Sequence, residues 1–218
     1  MWGIGTPRTL RPHWMLRELD LAYETVPILP RGGAMNTPEF LRLNGRGKIP
    51  VLEDGELVIG ESGAILFHLA DRYRERAQLA PAPATPERAR FDDLCIYALT
   101  ELDATLYVIR RHEGLPAVYG EAPVACEAAR RYFARQAGEV ERRLADGRPF
   151  LAGDAFSAAD LLVTTCLDWA AFVAIALPER LDAYRRRIAT RPAYREAMAL
   201  NFPPEAFELL RRQAAEGG

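Results

Sequence analysis

The run Asn44-Gly45-Arg46-Gly47-Lys48-Ile49-Pro50-Val51-Leu52-Glu53-Asp54-Gly55, followed by Leu57-Val58-Ile59, leaves the chain few folds to choose from. A glycine loop enters Ile49-Pro50, then a short apolar strand, a turn at Glu53-Asp54-Gly55 and a second strand, which predicts a β-hairpin. Proline at the mouth of a strand cannot donate to the ladder, so it belongs at an edge or an entry. X-Pro is also the one linkage that becomes cis at small cost. A cis Ile49-Pro50 would turn the flanking main-chain groups outward, where an extended peptide can pair with them.

Directly after the hairpin, Glu61-Ser62 opens a segment with apolar residues at Ala64, Ile65, Phe67, Leu69 and Ala70, which predicts a helix through Tyr73. The free N–H groups and positive dipole of a helix start hold anions well. Ser62 can therefore seat a carboxylate, with Glu61 beside it to take an ammonium. Both groups on one carbon describe an amino-acid head group. The plainer alternative is that Ser62 only caps the helix.

With Gly47-Lys48-Ile49-Pro50-Val51-Leu52 and Glu61-Ser62, the chain resembles the cytosolic glutathione S-transferases, of the serine/threonine type and a bacterial-like class. The resemblance implies a cis proline at Pro50, pairing of Ile49 with the cysteinyl backbone of glutathione, and a γ-glutamyl group held by Glu61 and Ser62. It also implies a homodimer that takes glutathione and a small electrophilic substrate. Lys48 is the only lysine among 28 basic residues. A compact ammonium in this loop suits the glycyl carboxylate better than a planar guanidinium would.

A formal charge of −2 gives no reason to expect nucleic acid or an anionic membrane as partner. Met1-Trp2-Gly3-Ile4-Gly5-Thr6-Pro7 lacks the apolar run of a signal peptide, and no segment is long enough to span a bilayer, so the expectation is a cytoplasmic protein. Cys95, Cys126 and Cys166 are scattered within apolar helical patterns and read as small buried hydrophobes. With His13, His68 and His112 equally dispersed, no metal site is expected.

Along the chain, Trp2–Gly5 reads as a strand, followed by a loop over Thr6–Leu10 and a helix with Pro12 in its first turn. Tyr23–Leu29 reads as a second strand, and Thr37-Pro38 starts a short helix. With the hairpin and the Glu61 helix, this order predicts an α/β thioredoxin-like domain over 1–75 with a mixed four-strand sheet. Pro81, Pro83 and Pro86 mark a linker over 76–86. Everything beyond carries helical periodicity, an all-α helical domain over 87–218. One long helix is expected from Glu87 to His112 and another from Val124 to Leu144. A third is capped by Ser157 and Asp160 and apolar nearly all round, with shorter helices over Glu179–Ala189, Pro192–Leu200 and Pro204–Ala215. The Gly153-Asp154 to Asp160 cap is a further point of likeness to the family's core helix.

A glutathione thiol is mostly protonated at neutral pH, whereas its thiolate is the nucleophile, so the protein must stabilise the sulfur anion. Each unit of pKa lowering takes about 1.4 kcal/mol. The loop before the first helix offers Thr6, Arg8, Thr9 and Arg11 and departs from the family's usual Tyr, Ser or Cys. Arg11 looks like the family's early helix arginine, which puts Thr6 near the serine position, while Thr9 lies closer to the helix start. Either threonine can donate a hydroxyl, or can merely cap the helix. With no cysteine in the first domain, thiol–disulfide exchange through the protein is excluded, leaving conjugation, isomerisation or peroxide reduction. An electrophile pocket is expected between the domains, with His13 and Trp14 as candidate lining. On the long helix Asp103, Tyr107, Arg110 and Arg111 share a side, and Asp103 could reach a glutathione amine across a dimer interface as some relatives do. The leading expectation is a glutathione-dependent transferase. The alternatives are a non-catalytic transferase-like adaptor and a glutathione-dependent isomerase or lyase.

Overall fold

The structure, a computed structural model, describes residues 1–206 and 208. Its described residues form two units, Met1–Ala80 joined by 191–206, and Pro81–Thr190 with Glu208. The expected helix over Pro204–Ala215 lies largely outside the described residues.

In the first unit, helix α1 (Pro7–Glu18) starts earlier than the sequence suggests. Thr6 and Thr9 form a reciprocal cap and Pro7 sits at the first helical position, so Arg8, Thr9 and Arg11 are helical rather than in a loop. Pro12 consequently lies inside the helix and forgoes one intrahelical bond. After a 3₁₀ turn (Gly33–Asn36) and α2 (Pro38–Leu43), capped by Thr37, come β1 (Val51–Asp54) and β2 (Leu57–Gly60). They pair antiparallel with Val51 opposite Gly60 and Asp54 opposite Leu57. Helix α3 (Ser62–Arg72) follows.

The two other expected strands form only isolated bridges. Trp2 bridges Val26 in parallel and Val51 antiparallel. The N–H groups of Gly3 and Trp2 donate to Val26 (2.9 Å) and Val51 (2.8 Å). The four-strand order therefore exists in its hydrogen bonds without regular strands at one side. Gly3 and Gly5, at φ of 102° and 84°, interrupt one segment, and Pro27 removes a ladder donor from the other.

Helix α10 (Pro192–Asn201) packs on α1. Trp14, fully buried, meets the Tyr194 ring edge-on at 4.8 Å between centroids. The Glu18 carboxylate accepts from Arg191 Nε and Nη2 at 2.6 Å each and from Trp14 Nε1 at 2.8 Å. A planar guanidinium meeting a carboxylate through two bonds fixes direction as well as distance, and so sets the register of α10 against α1.

The second unit holds α4 (Pro86–Tyr97), α5 (Ala104–His112), α6 (Pro116–Tyr119), α7 (Pro123–Arg143), α8 (Ala158–Phe172) and α9 (Glu179–Ile188). The expected single helix from Glu87 to His112 is continuous but widens into a π-helical stretch at Ala98–Asp103. Helix α8 is buried along most of its length, as its all-round apolarity predicts, although Phe172 at its end is 79% exposed. Asp160 starts it, accepting from the N–H groups of Leu151 and Ser157 at 2.8 Å, from Ser157 Oγ at 2.9 Å and from the Tyr184 hydroxyl at 2.6 Å.

Candidate functional site

The loop ahead of β1 is organised by Asn44, a residue the sequence reading passed over. Its Nδ2 donates to the Lys48 carbonyl at 2.7 Å, and its Oδ1 accepts from the Arg46 N–H at 3.2 Å. Lys48 is exposed, Pro50 is buried, and the Ile49–Pro50 bond is cis. Ile49 packs against the cluster of Ile28, Met35, Phe40 and Val51. Gly3 makes room for it, since a Cβ there would lie 2.6 Å from that of Ile49.

At the far end of the hairpin Glu61 adopts φ 65° and ψ 116°. A non-glycine residue held at positive φ costs on the order of 1–3 kcal/mol and is characteristic of functional sites. It places Ser62 at the first helical position of α3, 5% exposed. Arg11, fully buried on α1, donates from Nη1 to Ser62 Oγ at 3.1 Å. A guanidinium and a helix N-terminus thus converge on one hydroxyl, an arrangement that favours an anion there. The Glu61 side chain points elsewhere: its Oε1 accepts from Arg46 Nη1 at 2.9 Å, with both side chains more than half exposed. Sequence reasoning missed Arg46, whose contact depends on the loop closing over β2.

The two threonines divide their roles. Thr9 is fully buried, and its Oγ1 accepts from the Thr6 N–H at 3.0 Å and lies 2.7 Å from Asn201 Oδ1. Thr6 is partly exposed at the N-cap, its Oγ1 accepting from the Thr9 N–H at 3.0 Å. A hydroxyl has one proton and two lone pairs, so capping uses Thr6 as acceptor, while either hydroxyl can donate across the 3.0 Å between Thr6 Oγ1 and Thr9 Oγ1. The residues that hold this turn from α10 had no signal in the local sequence.

Other candidates lie elsewhere. Asp103 is 3% exposed in the π-helical stretch of the second unit, and Tyr107, stacked under the Arg111 guanidinium at 5.0 Å, follows one turn on. His13 and Trp14 are fully buried. His13 Nε2 donates to the Gly3 carbonyl (3.0 Å) while Nδ1 accepts from the Tyr23 hydroxyl (3.1 Å). Burial lowers its pKa to about 4, so the ring is neutral. The three cysteines are free and buried. Among the described residues no three His, Cys, Asp or Glu side chains gather as a metal site, and no helix is long and apolar enough to cross a membrane.

Comparison with known proteins matches residues 1–71 to the family model "Glutathione S-transferase, N-terminal domain" and residues 97–192 to "Glutathione S-transferase, C-terminal domain". Glutathione S-transferase 3 of Zea mays is 31% identical over 91% of this chain and 92% of its own. Among solved structures, a sphingomonad glutathione S-transferase complexed with glutathione superposes with a TM-score of 0.79, at 28% identity over 92% of this chain and 98% of that one. A glutathione transferase from Methylococcus capsulatus gives 0.78, at 29% identity over 91% and 98%.

Proposed function

Because the chain belongs to the glutathione S-transferase family, we propose that its first unit grips glutathione as co-substrate and that the Thr6 hydroxyl stabilises the thiolate for attack on a small apolar electrophile. Ser62, backed by Arg11, takes the γ-glutamyl carboxylate and Glu61 takes its ammonium. The main chain of Ile49 pairs with the cysteinyl backbone, and Lys48 meets the glycyl carboxylate. The working form is a homodimer. The named transferases among the relatives count against a non-catalytic adaptor.

One observation carries the choice of Thr6: it alone of the two threonines is partly exposed, at the positive end of α1, where its proton can turn from Thr9 Oγ1 to a ligand. Thr9 is buried and tied down, so it supports the turn. Hydrogen bonding to an anion lowers its pKa. Titrating the ultraviolet thiolate band of bound glutathione should give a depressed pKa in the wild type, moved up by about one unit or more in Thr6→Val. A wild-type thiol that titrates like free glutathione would overturn the reading. Retention on immobilised glutathione, lost in Glu61→Ala and Ser62→Ala, tests the head-group site independently.

A further inference from the structure

Asn201 ends α10, fully buried, and spends every polar group it faces toward α1 on the turn that carries Thr6. Its carbonyl accepts from the Gly5 N–H at 2.8 Å, its Nδ2 donates to the Thr6 carbonyl at 3.0 Å, and its Oδ1 lies 2.7 Å from Thr9 Oγ1. The Thr6 carbonyl can only accept, so the amide nitrogen must face it. The amide oxygen then faces Thr9, whose hydroxyl must be the donor. One side chain thereby fixes the sense of the whole hydroxyl array: Thr9 gives its single proton to Asn201, and its oxygen becomes an acceptor. Thr6 Oγ1, 3.0 Å from Thr9 Oγ1, is then the donor of that pair, and its proton is the one a ligand sulfur can draw away from Thr9.

We propose that Asn201 is the positioning residue of the thiol-activating turn, holding its main chain against α10 and committing the Thr9 proton so that the Thr6 proton is the one offered to the ligand sulfur. This rests on the reading of Thr6 given above. Without the Asn201 side chain, the Thr9 proton turns to the Thr6 carbonyl, 2.9 Å away, and that carbonyl loses its amide donor. The extended Thr6 backbone, φ −134° and ψ 157°, is then held by the cap and by the Gly5 N–H, which still donates to the main-chain carbonyl of residue 201. The head-group residues Glu61 and Ser62 lie on α3 and its cap, outside this array. Sulfur stabilisation should therefore suffer while tripeptide affinity persists, a split that general unfolding would not produce.

The test titrates the thiolate band of glutathione bound to the full chain in Asn201→Leu, Thr9→Val, their double variant and Thr6→Val, with glutathione affinity measured alongside by calorimetry. Asn201→Leu should raise the bound thiol pKa by about one unit with affinity changed less than about threefold. Thr9→Val, which keeps shape but loses the hydroxyl that donates to Asn201 and accepts from the Thr6 N–H, should raise it in the same direction. The double variant should add little, because the two side chains act through one link. Should Asn201→Leu fail to fold, Thr9→Val decides alone. An unmoved pKa in Thr9→Val and in any folded Asn201→Leu, with a raised one in Thr6→Val, would overturn the positioning role and leave the Thr6 reading standing. An unmoved pKa in Thr6→Val would instead remove the Thr6 reading, and the role of Asn201 with it.

Discussion

At the scale of single residues, the candidate site is defined by what each polar group is already doing. Glu61, expected to meet an ammonium, holds Arg46 in a pair open to water. Such exposed pairs contribute little to stability, but on the proposed reading this one competes with the ligand's ammonium. Arg46→Ala should tighten glutathione binding by about two- to fivefold and flatten its salt dependence. Weaker binding in that variant would mean that Arg46 itself touches the tripeptide. His13 offers a different measurement. Its folded pKa of about 4 lies below the ordinary 6.5, so between these values the unfolded chain binds more protons. Stability should therefore be whole above pH 6.5 and fall as pH drops toward 4, by up to about 3 kcal/mol. Denaturant midpoints of wild type and His13→Gln across this window should converge as pH falls. Parallel curves would show that His13 does not titrate as its burial requires.

At the scale of elements, local signals were read well wherever cap and helix are neighbours in sequence. Thr37-Pro38, Ser157 with Asp160, and the Asp54-Gly55 turn all announce themselves within four residues, and the structure has each of them. The start of α1 was misjudged because a Thr-x-x-Thr cap lacks the usual acidic partner, so Pro12 was taken as the first-turn proline in place of Pro7. The π-helical stretch at Ala98–Asp103 has no local marker. The start of α8 carries a prediction: Asp160→Ala would strip four hydrogen bonds from buried partners and should cost about 3 kcal/mol or more. A drop in thermal midpoint no larger than that of a partly exposed cap such as Thr85→Ala would contradict the assignment.

At the scale of the molecule, the fold class was legible because a hairpin, a proline-rich boundary and helical periodicity are compositional facts. The part of the site that joins distant residues was not. Arg11 and Ser62 are 51 positions apart and Thr9 and Asn201 are 192 apart, distances at which one sequence carries no pairing signal. The return of α10 to the first unit has a measurable corollary. A fragment ending at Ala80 leaves the faces of Trp14 and Glu18 that meet Tyr194 and Arg191 uncovered. It should show no cooperative unfolding and no retention on immobilised glutathione, whereas a fragment ending at Ala206 should show both. Cooperative melting of the shorter piece would show that α10 is dispensable.

That return also orders events at the ribosome. Asn201 is translated nearly two hundred codons after the Thr6 turn, so a nascent chain carries that turn without its partner until residue 201 has been made. Chains released before residue 201 would, on the proposed reading, have a Thr6 turn that lacks its buried tether and a thiol site that is never finished.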